Sequence, residues 1–298
     1  MKLAGIAIDD TFAEAFGMTG TRLVITADTA DWARRAAESM TGFATSVIGC
    51  GVEAGIESAL EPAATPDGRP GVAVLLFAVS RDALAKALTA RVGQCVLTCA
   101  GTACFAGIAG ETRVPLGRSL RYFGDGLQRA KRIGGRRYWR IPVMDGEFLC
   151  EDQAPVQDSV GGGNLLLLGR APAAVRAAAE RAVAAMRRIP DVIMPFPGGI
   201  VRSGSKVGSR YKFLMASTND AYCPTIKGAV ETALEPDITA VLEIVIDGLT
   251  EGAVGHAMAA GMRAAAAGGA AEGLTRITAG NYGGKLGAFK FALHALLA

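Results

Sequence analysis

One carboxyl sits inside an apolar run, Val241-Leu242-Glu243-Ile244-Val245-Ile246. Alternation along a strand puts Glu243 on the face of Val241 and Val245. Desolvation there raises a carboxyl pKa, which is how a proton donor is made at neutral pH. From spacing alone, an edge-strand carboxylate in solvent or an ion pair reads equally well. The densest polar stretch is Ser217-Thr218-Asn219-Asp220-Ala221-Tyr222-Cys223-Pro224-Thr225. Its hydroxyls, amide, carboxylate, phenol and thiol can hydrogen-bond a heteroaromatic ring with alternating donors and acceptors. The competing reading is an Asx-type turn before a proline.

Gly-rich loops are the other distinctive feature. They are Phe123-Gly124-Asp125-Gly126, Gly161–Asn164, Pro195–Gly199, Ser203-Gly204-Ser205-Lys206-Val207-Gly208-Ser209 and Gly280-Asn281-Tyr282-Gly283-Gly284-Lys285-Leu286-Gly287. Gly lets a backbone approach a ligand closely. None is a P-loop, because Leu286 stands where the Mg²⁺-binding hydroxyl would follow Lys285. Each alone reads as a turn; together they suggest a backbone-lined cleft. The six cysteines, at 50, 95, 99, 104, 150 and 223, contain no CxxC, and the two histidines are His256 and His294. That pattern lacks zinc-ligand spacing and points to free thiols in a reducing compartment. No motif places a histidine to activate Cys223.

These loops need elements to hold them, and the chain supplies strands alternating with Ala-rich helices. Thr21–Ala27, Ala44–Cys50, Val72–Val79 and Gln94–Thr98 read as strands. Asp28 or Thr29 caps a helix to about Met40, and Ser80 caps Arg81–Arg91. Between them, Thr65–Gly71 (TPDGRPG) is a turn signal. The second half repeats the pattern: strand Leu165–Leu168, helix Ala173–Arg188, strand Ala240–Ile246, helix Thr250–Ala267, then strands Thr275–Thr278 and Ala288–Leu293. Tyr138–Cys150 reads as a hairpin turning at Asp145-Gly146. The expected fold is α+β, with two ferredoxin-like (split βαβ) lobes over residues 1–144 and 145–298. A single doubly wound sheet fits less well, because no early GxGxxG follows the first strand.

Composition excludes other classes. Half of the 298 residues are apolar, and 20% are charged, so the chain is not disordered. No apolar run approaches the roughly 20 residues that span a bilayer. Residues 1–10 carry no secretory signal. A soluble, cytoplasmic protein with no membrane partner is expected. The 31 Lys plus Arg against 28 Asp plus Glu leave only +3. The one basic cluster, Arg129, Lys131, Arg132, Arg136 and Arg137, reads as a solvated loop or hairpin rather than a nucleic-acid face.

Longer strings resemble a known family. They are Ile8–Phe16 (IDDTFAEAF), Thr65–Gly71, Arg91–Val96 (RVGQCV), Phe123–Gly126, Gly146–Phe148 with Glu151-Asp152, Pro195–Val201 (PFPGGIV), Ser205–Ser209, Ser217–Thr225 (STNDAYCPT), Glu243–Val245 with Gly248-Leu249, and Ala279–Gly287 (AGNYGGKLG). Over about residues 5 to 295 the chain resembles the formylmethanofuran–tetrahydromethanopterin N-formyltransferases. The resemblance implies two α+β lobes, a homotetramer and no prosthetic group, the two one-carbon-carrying coenzymes being substrates. It implies formyl transfer between the amine of methanofuran and N5 of tetrahydromethanopterin. Archaeal relatives are strongly acidic, unlike this chain, and Gly101–Leu116 departs from the family pattern. Bacterial relatives in methylotrophs use the dephospho pterin within a complex with formylmethanofuran hydrolase subunits, a setting that the Ala- and Arg-rich composition favours.

N5 of a reduced pterin is itself nucleophilic, so direct transfer through a ternary complex is expected. The protein must bring the reactants together, stabilise an oxyanion and protonate the leaving amine. Glu243 is the catalytic candidate. Asn219, Asp220, Tyr222, Ser203, Lys206, Ser209, Asp125, Glu151, Asn281 and Lys285 are the substrate-binding candidates, with Lys206 near an anionic tail. A non-catalytic subunit keeping the fold would have lost the polar loops, which are intact. A nucleotide-binding or aminotransferring enzyme lacks its Lys-Ser/Thr pattern.

Overall fold

The computed structural model describes residues 1–298. Two compact units emerge: Met18–Ser159, and Met1–Gly17 together with Val160–Ala298. Packing groups residues differently from the halves 1–144 and 145–298 read along the sequence. Strand pairing is the reason. Phe12–Ala15 pairs with Ala292–Phe289, and Ile6–Ile8 lies beside Leu274–Thr278. Gly146–Glu151 pairs with Arg136–Val143 and with Ala103–Ala106.

In the unit Met18–Ser159, the strands Glu53–Leu60 and Gly71–Ala78, the part of strand Phe12–Thr26 from Met18 onward, and Ala103–Ala106 lie side by side in that order, antiparallel throughout. Every residue of Gly71–Ala78 is buried, as its unbroken apolar run requires. Helices Ala30–Thr41 and Arg81–Arg91 cover one face, with Ala33, Ala37, Met40, Leu84 and Leu88 against Leu23, Ile25, Val74 and Leu76. Thr29 and Ser80 cap these helices, accepting from the Trp32 and Ala83 amides. Two expected strands are not strands. Ala44–Cys50 contains a helical turn, Val47–Cys50, because Ser46 accepts the Ile48 amide and Gly51 ends the turn left-handed. Gln94–Thr98 begins in a π turn, Val92–Val96, that prolongs the preceding helix, and ends in a further turn; the strand follows at Ala103–Ala106. The basic cluster is an exposed hairpin, Arg129–Ile133 with Arg136–Val143. The next hairpin turns at Met144-Asp145, one residue earlier than expected, since Val143 pairs with Gly146.

In the other unit, strand Gln157–Gly169, from Val160 onward, lies between Ala240–Gly248 and Leu274–Thr278, antiparallel to both. Helices Pro172–Met186 and Glu251–Ala266 bury one sheet face. Leu165, Leu167, Ile244, Ile246 and Ile277 point into that core with Val175, Ala179, Val254 and Met258. The alternate side chains of the same strands, Leu166, Leu168 and Val241, meet Tyr222, Leu234 and Ile238. Irregular chain from residues 201 to 239 therefore covers the second face, and the chemistry lies there.

Candidate active site

Strand register sets the floor of the site. Leu166 faces Glu243 on one neighbouring strand and Thr278 on the other, so the three stand abreast on one face. Asn164 and Arg276, each two residues along, share that face. A cavity of about 560 Å³ opens over them; its walls include Asp9, Asp10 and Thr11, Ser205 and Lys206, Asn219 and Tyr222, and Ala279–Tyr282.

Glu243 is fixed through its main chain. Its amide donates to the Val201 carbonyl at 2.9 Å, and its carbonyl accepts the Val201 amide at 2.7 Å. The side chain is half-buried, and desolvation pushes the carboxyl up to about 7. Burial is the sole cause of that rise. Nearby, burial and then the Glu243 charge raise the Tyr282 phenol, which shares a hydrogen bond with Ser205. The Tyr282 phenol is thus a neutral donor at pH 7, while the Glu243 carboxyl is divided between its acid and carboxylate forms there.

The opposite wall is charged but internally compensated. Arg276 Nε donates to both oxygens of Asp9, at 3.0 and 2.9 Å, while Nη1 reaches Glu235 at 3.0 Å. Tyr222 lies by Thr278, its phenol raised chiefly by burial. The Asn164 amide holds Gly280 at both main-chain atoms, accepting its N–H at 2.6 Å and donating to its carbonyl at 3.2 Å. Glu14, fully buried, accepts four main-chain N–H groups from Tyr282, Gly284, Leu286 and Gly287. Burial alone would raise its pKa; those four donors overcome it and hold the carboxyl at about 2.

The sequence candidates divide in four. Glu243, Asn219, Tyr222, Lys206 and Asn281 line the cavity. Asp220 and Ser209 line an adjoining cavity of about 650 Å³ that shares Lys206; Asp220 binds Lys206, which draws its pKa down. Ser203 offers its carbonyl to Thr218, and Lys285 is exposed within the 280–287 loop; neither lines the main cavity. Asp125 and Glu151 belong to the unit Met18–Ser159. Asp125 is an exposed left-handed residue ending a turn. Glu151 is buried, accepts the Ala106 amide at 3.0 Å, and has its pKa raised by burial. That unit also holds a groove of about 780 Å³ lined by Leu97, Phe123, Leu127 and Met144, but Cys99 and Asp145 are its only ionisable side chains. Sequence reasoning missed Asp9, Arg276, Tyr282 and Glu14 as working residues. Only the Asp9-Asp10 pair and the aromatic within the Gly-rich loop offered a signal.

A carboxyl held near 7 and a neutral phenol face a polar cavity, and Cys223 has no histidine beside it: its thiol meets Thr218 and the Asn219 carbonyl. Two α+β lobes with such a site suit a group-transfer enzyme: the site offers an acid–base group and no activated enzyme nucleophile. Family models agree and sharpen this. The one described as formylmethanofuran-tetrahydromethanopterin formyltransferase matches residues 1–143, and the one described as FTR, proximal lobe, matches residues 146–296. The chain belongs to the formylmethanofuran–tetrahydromethanopterin formyltransferase family, transferases acting on the formyl group. It is 61% identical to the formyltransferase of that name from Methylococcus capsulatus, over 100% of both chains. Among solved structures, it is similar to a chain of the formyltransferase/hydrolase complex from Methylorubrum extorquens in complex with methylofuran, with TM-score 0.97 and 58% identity over 100% and 99% of the two chains. The formylmethanofuran:tetrahydromethanopterin formyltransferase of Methanosarcina barkeri gives TM-score 0.93 and 45% identity over 100% of both.

Proposed function

We propose that the chain moves a formyl group between the amine nitrogen of formylmethanofuran and N5 of tetrahydromethanopterin, or its dephospho form, directly through a ternary complex. The N5 lone pair attacks the formyl carbon and the carbonyl oxygen becomes an oxyanion. The Glu243 carboxyl protonates the leaving nitrogen as the old C–N bond breaks, and its carboxylate takes the proton that N5 releases. Glu243 ends as it began, so the step balances without a resident cofactor. Preorganised neutral donors stabilise the oxyanion without reorganising.

One observation carries this reading: Glu243 sits in the cavity with its carboxyl held near 7 by burial, the range in which a group both gives and takes protons at neutral pH. Glu243→Ala should lower kcat by about 10² to 10³. Glu243→Gln, which donates a hydrogen bond but no proton, should be nearly as poor. A kcat within about threefold of wild type for a folded Glu243→Ala would remove Glu243 from this role.

The chain is further proposed to act as a homo-oligomer, probed below, or in a hetero-complex with formylmethanofuran hydrolase subunits. The Methylorubrum extorquens relative, solved as part of such a complex, supports the second setting. Six unpaired thiols support a reducing, cytoplasmic location.

A further inference from the structure

The loop Gly280–Gly287 contributes Asn281 and Tyr282 to the cavity, yet it has no regular secondary structure to hold it. One side chain accepts four of its main-chain N–H groups. Glu14 Oε2 accepts the Tyr282 amide at 2.7 Å and the Gly284 amide at 2.9 Å; Oε1 accepts the Leu286 and Gly287 amides, each at 2.6 Å. The backbone must turn its N–H groups inward to do this, and Gly283 and Gly284 take φ of +74° and +70°, a conformation that glycine adopts without penalty. Asn281 Nδ2 adds bonds to Thr11 Oγ1 and the Phe12 carbonyl, both at 3.2 Å. Phe16, two residues beyond Glu14 on the same strand, packs against Tyr282 with ring centroids 6.0 Å apart.

A fully buried carboxylate is costly unless its hydrogen-bonding capacity is filled. Here four main-chain N–H groups of the loop fill it. We propose that Glu14 is a positioning residue for formyl transfer: its carboxylate moulds the 282–287 backbone and so fixes the Tyr282 phenol beside Ser205 and Glu243. Tyr282 then serves the reaction as a fixed neutral donor. This rests on Glu243 being the acid, but the cradle itself does not.

Glu14→Gln keeps shape and neutralises the charge. Its single carbonyl oxygen satisfies one pair of amides, and its NH₂ confronts the other pair as donor against donor. Formyl transfer and amide hydrogen exchange are measured on wild type, Glu14→Gln, Tyr282→Phe and the double variant. Glu14→Gln should speed exchange of residues 282–287, leave the helix Glu251–Ala266 protected, and lower kcat on the order of 10²-fold, the scale of a misplaced reacting geometry. Tyr282→Phe should lower kcat about tenfold or more, and adding it to Glu14→Gln should cost nothing further, because the phenol is already misplaced. Additive losses, or a loosened loop with wild-type kcat, would overturn the proposal. Should Glu14→Gln not fold, Gly287→Ala is read by the same criteria: its Cβ would lie 2.4 Å from the Ala15 carbonyl oxygen and drive the Gly287 amide out of the cradle. If Glu243→Ala proves harmless while the cycle is non-additive, only the Glu243 assignment fails.

Discussion

The Lys206 ammonium donates to Asp220 Oδ2 at 2.5 Å, in the wall shared by the main cavity and its neighbour. The side chains are 43% and 32% exposed, so water and salt weaken the pair and it adds little to stability. Its use is placement: Asp220 keeps a flexible lysine at the cavity edge. Lys206→Gln should raise KM for a substrate with an anionic tail about tenfold, the scale of one charge-assisted hydrogen bond, with kcat little changed. Asp220→Asn should unfold at nearly the wild-type temperature while making KM more salt-sensitive. Steady-state kinetics at low and high salt check both, and a kcat defect with unaltered KM would place Lys206 at the reacting atoms instead.

Asn219 offers a cleaner probe of the polar stretch. Its main-chain carbonyl is used internally, accepting from the Tyr222 amide at 3.0 Å and from Cys223, while the residue lines the cavity. Removing its amide should therefore hurt the ligand more than the fold. Asn219→Ala should lower kcat/KM by about 2 kcal/mol, as losing a bond to a desolvated partner does, with unchanged thermal unfolding. Wild-type kinetics in a folded variant would take this residue out of the site.

The segment following Lys206 exposes Val207, Tyr211, Phe213 and Met215, the last two by 81% and 80%. Clustered exposed apolar side chains of this kind mark contact surfaces. Light scattering of the purified chain at micromolar concentration should give a multiple of 30.6 kDa, and Phe213→Asp with Met215→Asp should reduce it. A fully active species of monomer mass would contradict the oligomer.

What could be read beforehand follows from how local each signal is. The alternation around Glu243, the caps at Thr29 and Ser80 and the apolar run from Val72 are local, and they hold in the structure, except that the strand ends at Ala78 and leaves Val79 exposed. The misread strands at 44–50 and 94–98 have strand-like composition, but a capping serine and the pull of a preceding helix decide them. The Asp9–Arg276 pair spans 267 positions and the Glu14–Gly287 contact 273. Nothing near Glu14 in the sequence announces that four distant amides will surround it. The site is thus legible where one strand or one loop makes it and illegible where the two ends of the chain meet.

The pH response of Glu243 follows from its burial. Its pKa rises from 4.5 to about 7 on folding. Below about 4.5, folded and unfolded chains both carry the proton, and the residue costs nothing. As pH climbs from 4.5 to about 7, the unfolded chain ionises first, so stability falls, and the loss levels off at roughly 3 kcal/mol. Glu243→Gln has no proton to lose, so its stability relative to wild type should improve between pH 5 and pH 8. Activity should show the same group: wild-type kcat should decline above about pH 7 as the acid form disappears, and the residual rate of Glu243→Gln should lack that limb. Denaturant unfolding at the two pH values and a kcat profile across them check the two halves separately. Parallel stability of the two proteins would mean that Glu243 ionises as freely in the fold as out of it, and its assignment as the neutral acid would fall.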